Sequence, residues 1–330
     1  MWCQFAMLSV IPMRIGDDYP LGKLLPIWSN PLMKRTFRIL VVSLAAGLFL
    51  SACKTEPVTG RKELNFISAG QEMQLGLTSF NELKQQVPIS KDPAANALVQ
   101  KVGKRIAAVA SPDLPNAQWE FVVFESKEAN AFCLPGGKVG VYSGLLPITK
   151  DEAGLATVLG HEVAHAAAHH GSERMSEALL MQGGGQILGS ALSTSSPTYQ
   201  AAAQTAYGIT TKLGRELPHS RTQESAADRI GLIYMARAGY DPAEAVRFWQ
   251  RFAEYSKGAS SASTPVIFRD HPTDEARIAA LQKLLPQAQA EYKRVVSGVG
   301  APTGLPSGNR LAPSGGSSLG NSRISRPANQ

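Results

Sequence analysis

His161, Glu162, Val163, Ala164 and His165 spell two imidazoles four residues apart with a carboxylate beside the first. On a helix, positions 161 and 165 share one face, so their ring nitrogens can take neighbouring corners of a tetrahedral zinc ion. Glu162 projects about 100° around the helix from His161, which removes it from the ligand set and leaves it near a water at the metal. A carboxylate there can take the proton of an attacking water and hand it to a leaving amine, which is general-base hydrolysis of an amide. Two histidines do not complete a catalytic zinc site. Glu224 and Asp228, again four apart, share a face of a second helical pattern. Glu224 would make a His, His, Glu set with its fourth position left for water, and Asp228 would accept the free ring N–H of a zinc-bound histidine and fix its tautomer. The cofactor expected is one zinc ion per chain.

Two helices must carry these groups. Thr149 with Glu152 three residues on reads as a capping box at the start of the first, and Gly171 as its stop. Gly154 and Val158 continue the His161 face without a polar group, so that face can be buried. Ser220 with Gln223 opens the second helix, Gly239 ends it, and Ala227 and Gly231 keep its Glu224 side narrow. Upstream, 68–86 and 92–110 read as helices, the latter with Leu98, Val102 and Ile106 in register. Stretches 118–124 and 138–142 are β-rich and bounded by turn residues, so they read as strands. Helical patterns then run from 151 to about Lys293, broken at Gly171, Gly239 and 256–264. Residues 178–211 carry no charge, yet Gly183–Gly185 and the polar 193–200 interrupt them. They read as a buried Gly/Ala-rich hairpin, with a lid or a membrane- or substrate-contacting hairpin as the alternative. No internal repeat is present.

The 330 residues carry a formal charge of +7, which invites a nucleic-acid reading. Residues 1–52 hold five Lys and Arg against two Asp, and 297–330 hold three Arg and no acid. Residues 53–296 keep 25 basic against 24 acidic side chains, so no general phosphate-binding surface is expected and nucleic acid is excluded as a partner. Lys34, Arg35 and Arg38 precede an uncharged apolar run, 39–50, closed by Ser51, Ala52 and Cys53. That reads as a leader peptide with a lipobox-like end, for which Met33 is a better start, and Cys53 is the expected lipid anchor to a membrane surface; an uncleaved anchor with an incidental Cys is the alternative. Residues 53–62 follow as a tether, 63–296 as the catalytic domain, and the Gly/Pro/Ser-rich 297–330 as a disordered tail. With Cys3 lost and Cys53 acylated, Cys133 has no internal disulfide partner.

In order along the chain, NAFCLPGG (130–137), HEVAHAAAHH (161–170), SRTQESAAD (220–228) and His271-Pro272 with Arg277 resemble the zinc metallopeptidase family that includes HtpX, the CAAX-prenyl endopeptidase and the periplasmic proteases BepA and LoiP. The likeness spans about 63–284. It implies zinc on His161, His165 and Glu224, Glu162 as the base, and a mainly α, α+β fold of gluzincin type with a small sheet beside the HExxH helix. It further implies a lipoprotein on the periplasmic side of the outer membrane of a bacterium, without a tetratricopeptide extension. Its substrates would be misfolded or stalled envelope proteins, with a chaperone or assembly-factor role as the alternative. Oligomeric state is not legible. In zinc peptidases of this type an edge strand holds extended substrate, so 138–142 is expected at the cleft, with Asn130, Ala131, Phe132, Gly137, Val139 and Val141 against substrate; a plain hairpin turn at Gly136-Gly137 is the alternative. His271 would stabilise the oxyanion, fill the zinc's open position in a resting enzyme, or cap a loop. Arg277 would steady the tetrahedral intermediate or pair with Asp228. Cys133 stands where the family has a small apolar residue and is expected to pack as one, with a zinc-binding thiolate as the alternative. His169 and His170 read as surface residues or outer partners of the ligands.

Overall fold

The computed structural model describes residues 35, 53–55, 60, 62–181, 221–257, 271 and 275–298. The leader with Met33 (apart from residue 35), Ser220, Pro272, most of the uncharged stretch 178–211 and the tail from 299 lie outside the described residues. A short antiparallel hairpin, β1 (Cys53–Thr55) and β2 (Lys62–Leu64), comes first, with Cys53 opposite Leu64. The stretch read as a tether thus has paired backbone. Helices α1 (Ala69–Gln86) and α2 (Pro93–Ala110) follow. Ser68 caps α1 through a capping box with Gln71, and Asp92 caps α2 ahead of Pro93 at its first turn.

Three strands come next: β3 (Glu120–Phe124), β4 (Ala131–Leu134) and β5 (Lys138–Tyr142). The spatial order is β3-β5-β4, with β5 parallel to β3 and antiparallel to β4. This corrects the expectation of an edge strand at 138–142. Both sides of β5 are hydrogen-bonded, every residue of it is buried, and the outer strand is β4, which sequence reading left unassigned. The opposite edge, along β3, is covered where Ser90 N donates to Val123 O, Glu125 N donates to Pro88 O and Ile89 bridges Phe124. Side chains alternate across the sheet, as the two-residue strand period requires. Phe121, Val123, Ala131, Val139 and Val141 join the main core, whereas Phe124, Leu134 and Tyr142 pack with Phe80 and Leu83 of α1 on the other face.

After a single 3-10 turn come α3 (Leu146–Thr149) and the motif helix α4 (Glu152–Ala167). Its cap is Asp151, whose Oδ1 accepts the Gly154 N–H at 2.8 Å, not Thr149. Lys150 turns the chain at φ 67° between α3 and α4, so Thr149 closes the earlier helix and its hydroxyl donates to Leu146 O. Nor does Gly171 end α4. The chain breaks at Ala168 and His169, the latter at φ 52°, and Gly171 lies inside α5 (His170–Met181). Helix α6 (Arg221–Arg237), α7 (Ala243–Lys257) and α8 (Glu275–Val296) complete the described elements. No helix among the described residues is long and apolar enough to cross a membrane.

The packing that places the site is that of α4 on α6. A Cβ on Gly231 would lie 2.7 Å from His161 N and 2.9 Å from Gly160 O, and one on Gly160 would lie 2.8 Å from Gly231 O. Only glycine at the crossing lets the two backbones come this near. The pairs Thr157 with Met235, Gly160 with Gly231 and His165 with Glu224 show that the helices run antiparallel. Glycine contact is therefore what sets Glu224 opposite the histidine pair.

Candidate metal centre

His161, His165, Glu224 and His271 each offer one atom to a group that could hold a metal ion, and all four residues are buried. His161 Nε2 is 3.0 Å from His165 Nε2, 3.2 Å from His271 Nδ1 and 3.4 Å from Glu224 Oε2. Glu224 Oε1 is 3.3 Å from His165 Nε2 and 2.8 Å from His271 Nδ1. Donors on a tetrahedral ion with bonds of about 2.0–2.1 Å sit about 3.4 Å apart, so the spacing fits such an ion after small relaxation. Charge gives a second test of fit. The buried carboxylates Glu162, Glu224 and Asp228 face one buried guanidinium, Arg277, and the imbalance of two negative charges matches a divalent cation.

The titration behaviour follows from this field. Burial lowers the pKa of His161, but the Glu224 charge and hydrogen bonds to Asp228 and Glu224 outweigh it and push the ring up to about 9. Burial, with the neighbouring His161 and His170 adding to it, holds His165 well below its ordinary value, which keeps its lone pair available. Glu224 is raised by burial yet held well below the usual carboxylate range by His271, Arg277 and His161. Asp228 is likewise kept ionised against its burial, chiefly by Arg277.

Asp228 Oδ1 lies 3.1 Å from His161 Nδ1, the contact that fixes the ring N–H on Nδ1 and leaves Nε2 facing the other donors. Arg277 holds that carboxylate in turn, donating from Nε to Oδ2 at 2.6 Å and from Nη2 to Oδ1 at 2.8 Å. Its Nη1 is 2.7 Å from Glu224 Oε2. Of the two readings of Arg277, the structure shows the pairing with Asp228. Its guanidinium also stacks 4.1 Å over the Trp249 ring, and Trp249 meets the edge of His161 at 5.5 Å between centroids. Trp249 was not found from the sequence, where it is one more apolar residue on the α7 face. His271 joins this group of donors, with its Nε2 3.5 Å from Glu162 Oε1.

His170 is fully buried, with its Nδ1 2.8 Å from His165 Nδ1, so it is not a surface residue. His169 is partly exposed and lies 2.9 Å from Glu72 Oε2. Cys133 sits half-buried on β4 against the main core. Burial and the Glu162 charge push its thiol well up, and Cys133 is not in the donor group that could hold a metal ion but packs as a small hydrophobe.

The expected substrate contacts separate. Val139 and Val141 are fully buried beneath the helices, and Phe132 points to the α1 face, where it packs with Phe80, Phe124 and Tyr142. Gly137 belongs to the tight β4–β5 turn, at φ 78°, with its N–H donated to Leu134 O. Asn130 and Ala131 stay at the start of the outer strand, where Asn130 O accepts from Tyr142 N. The strand period and the central place of β5 explain each departure.

Comparison with known proteins agrees with this geometry. The model of Peptidase family M48 matches residues 93–285. The mitochondrial metalloendopeptidase OMA1 of Schizosaccharomyces pombe is 30% identical over 271 residues, 79% of this chain and 76% of that one. Its namesake from Saccharomyces cerevisiae is 31% identical over 252 residues, covering 72% and 70%. The beta-barrel assembly-enhancing protease of Escherichia coli is 29% identical over 246 residues, covering 73% of this chain and 49% of its own. With a family match across most of the residues that build the metal centre, the chain belongs to peptidase family M48 and is a metalloendopeptidase.

Proposed function

We propose that the bound metal is zinc, that His161, His165 and Glu224 hold it, and that Glu162 is the general base of peptide hydrolysis. The observation that carries this is the buried donor set with Glu162 next to it on the same turn of α4. Zinc in such a site supplies a Lewis acid that polarises the scissile carbonyl and acidifies the attacking water. Glu162 accepts that water's proton and delivers it to the departing amine. Asp228 and Arg277 keep His161 and Glu224 aimed: Asp228 contacts the His161 ring, and Arg277 holds Asp228 by hydrogen bonds while its charge pairs with Glu224. His271 would be a further donor to the bound metal in the resting site.

The enzyme's place is proposed as the periplasmic side of a bacterial outer membrane, with a lipid anchor at Cys53 and misfolded or stalled envelope proteins as substrates. The basic and apolar leader ending in Leu-Ser-Ala-Cys supports this. The names of the relatives point to two settings, mitochondria and β-barrel assembly, so the leader carries the choice. A second reading, an assembly factor with conditional proteolysis, is favoured by the name of the Escherichia coli relative.

Glu162→Gln tests the chemistry: zinc content should be kept while casein hydrolysis falls by roughly 10²–10⁴-fold. Full activity in that variant ends the general-base assignment. If envelope assembly persists in cells carrying the inactive variant, the second reading holds. Cys53→Ala tests the anchor, and a variant that stays in the membrane fraction removes it.

A further inference from the structure

His170 has no part in the proposed hydrolysis, yet it is fully buried and makes a 2.8 Å contact with the back of a proposed zinc ligand. We infer that His170 is a positioning residue: it accepts the Nδ1–H of His165 and thereby fixes the tautomer in which His165 offers Nε2 to zinc. The inference rests on the zinc reading above.

The proton count compels a definite arrangement. Two imidazole nitrogens 2.8 Å apart share one proton between them, since two N–H groups would repel and two lone pairs would not bind. His165 Nε2 faces the other donors, 3.0 Å from His161 Nε2 and 3.3 Å from Glu224 Oε1. If that nitrogen binds zinc, its proton must be on Nδ1, and His170 must present Nδ1 as the acceptor and carry its own proton on Nε2.

The chain is shaped to bring this about. In an unbroken helix residue 170 would lie about 140° around and about 7.5 Å along from residue 165, out of reach of its ring. The break at Ala168 and the left-handed His169, φ 52°, redirect the chain so that α5 begins with His170 beside His165. Non-glycine residues seldom take this conformation. Here it is held from several sides: His169 Nδ1 contacts the buried Glu72 of α1 at 2.9 Å, and His169 O accepts from Ser172 Oγ and Glu173 N. Strain kept at one residue beside a functional group is placed where it has a use.

An imidazole is also the acceptor that suits the local charge. Three buried carboxylates and one guanidinium already match a divalent ion, and a neutral ring at 170 orients His165 without adding a further negative charge. His161 is oriented by the carboxylate of Asp228, so the two ligand histidines are held by different chemistry.

The test compares His170→Asn, whose amide oxygen can stand where Nδ1 stands, with His170→Leu, of similar size and no acceptor. Full-length chains are loaded with zinc or cobalt(II), and affinity is read by competition with a chromophoric chelator and by the cobalt absorption spectrum. We expect His170→Leu to lose 10–100-fold in zinc affinity with a changed cobalt spectrum, and His170→Asn to keep most of both. Equal affinity in wild type and His170→Leu overturns the assignment, as do equal losses in the two variants at native circular dichroism. Nitrogen NMR of the zinc-loaded wild type decides without any variant: a His170 ring protonated on Nδ1 refutes it. A wild-type chain that takes up no zinc overturns the metal reading itself, and this one with it.

Discussion

Replacing Gly231 by alanine should damage the metal centre from a distance. The added Cβ would start 2.7 Å from His161 N, 2.8 Å from Gly160 C and 2.9 Å from Gly160 O. Ordinary contact begins at 3.4 Å, so α4 and α6 must part by about 0.7 Å at the crossing. All three neighbours are backbone, and no rotamer change can absorb the clash. Glu224 lies two turns along α6 on the same face, so a tilt passes part of that opening to its carboxylate. Even a third of it exceeds the tolerance of about 0.2 Å for metal–ligand distances. Overpacking costs about 1–3 kcal/mol, against which alanine gains about 1 kcal/mol of helix propensity. Stability should therefore fall by about 0–2 kcal/mol, while zinc affinity falls by at least tenfold. Chelator competition reads the affinity and thermal unfolding the stability, at about 2–4 °C per kcal/mol for a domain of this size. Gly70→Ala in α1 is the control, because its Cβ would meet nothing within 4 Å, and it should raise the melting temperature or leave it unchanged. A Gly231→Ala protein that binds zinc as tightly as wild type and melts no lower would refute the close-contact account of ligand placement.

Two further perturbations follow from the buried charges and the helix start. Arg277→Met strands the Asp228 and Glu224 carboxylates without their guanidinium and should cost about 3–5 kcal/mol in urea unfolding, with zinc recovering part of the loss through Glu224; a loss below about 1 kcal/mol contradicts the view that this arginine holds the site together. Asp151→Ala removes the side-chain cap of α4 and should cost about 1 kcal/mol in the same assay. If its stability is unchanged, the 2.8 Å cap contact has no energetic weight.

Features that depend on short stretches of chain are legible in the sequence. Helix spacing is local, so the four-residue intervals His161 to His165 and Glu224 to Asp228 set these side chains on common faces. Capping is local too, and the helices beginning after Ser68 and Asp92 start where their side chains dictate. It failed at Thr149 because Asp151, two residues on, competes for the same role and the turn at Lys150 gives it the better place. Nothing local announces that His169 takes a left-handed conformation, since part of its support comes from Glu72, 97 residues earlier. For the same reason the sequence leaves His170 as either a surface residue or an outer partner of the ligands, and only packing sets it against His165.

By itself the sequence determined the chemistry available: which donors can share a helix face, which carboxylate stands near them, and that 53–296 is nearly neutral. Tertiary structure alone decided which strand became the outer one, that Val139 and Val141 went to the core, that Arg277 pairs with Asp228, and that His271 lies beside Glu224 among the donors. The physical reason is reach. Helical periodicity and capping involve neighbours a few residues apart, whereas the β3–β5 pairing, the Arg277–Asp228 ion pair and the fit of Gly160 on Gly231 join residues 18, 49 and 71 positions apart, and only packing of the whole chain selects among their possible partners.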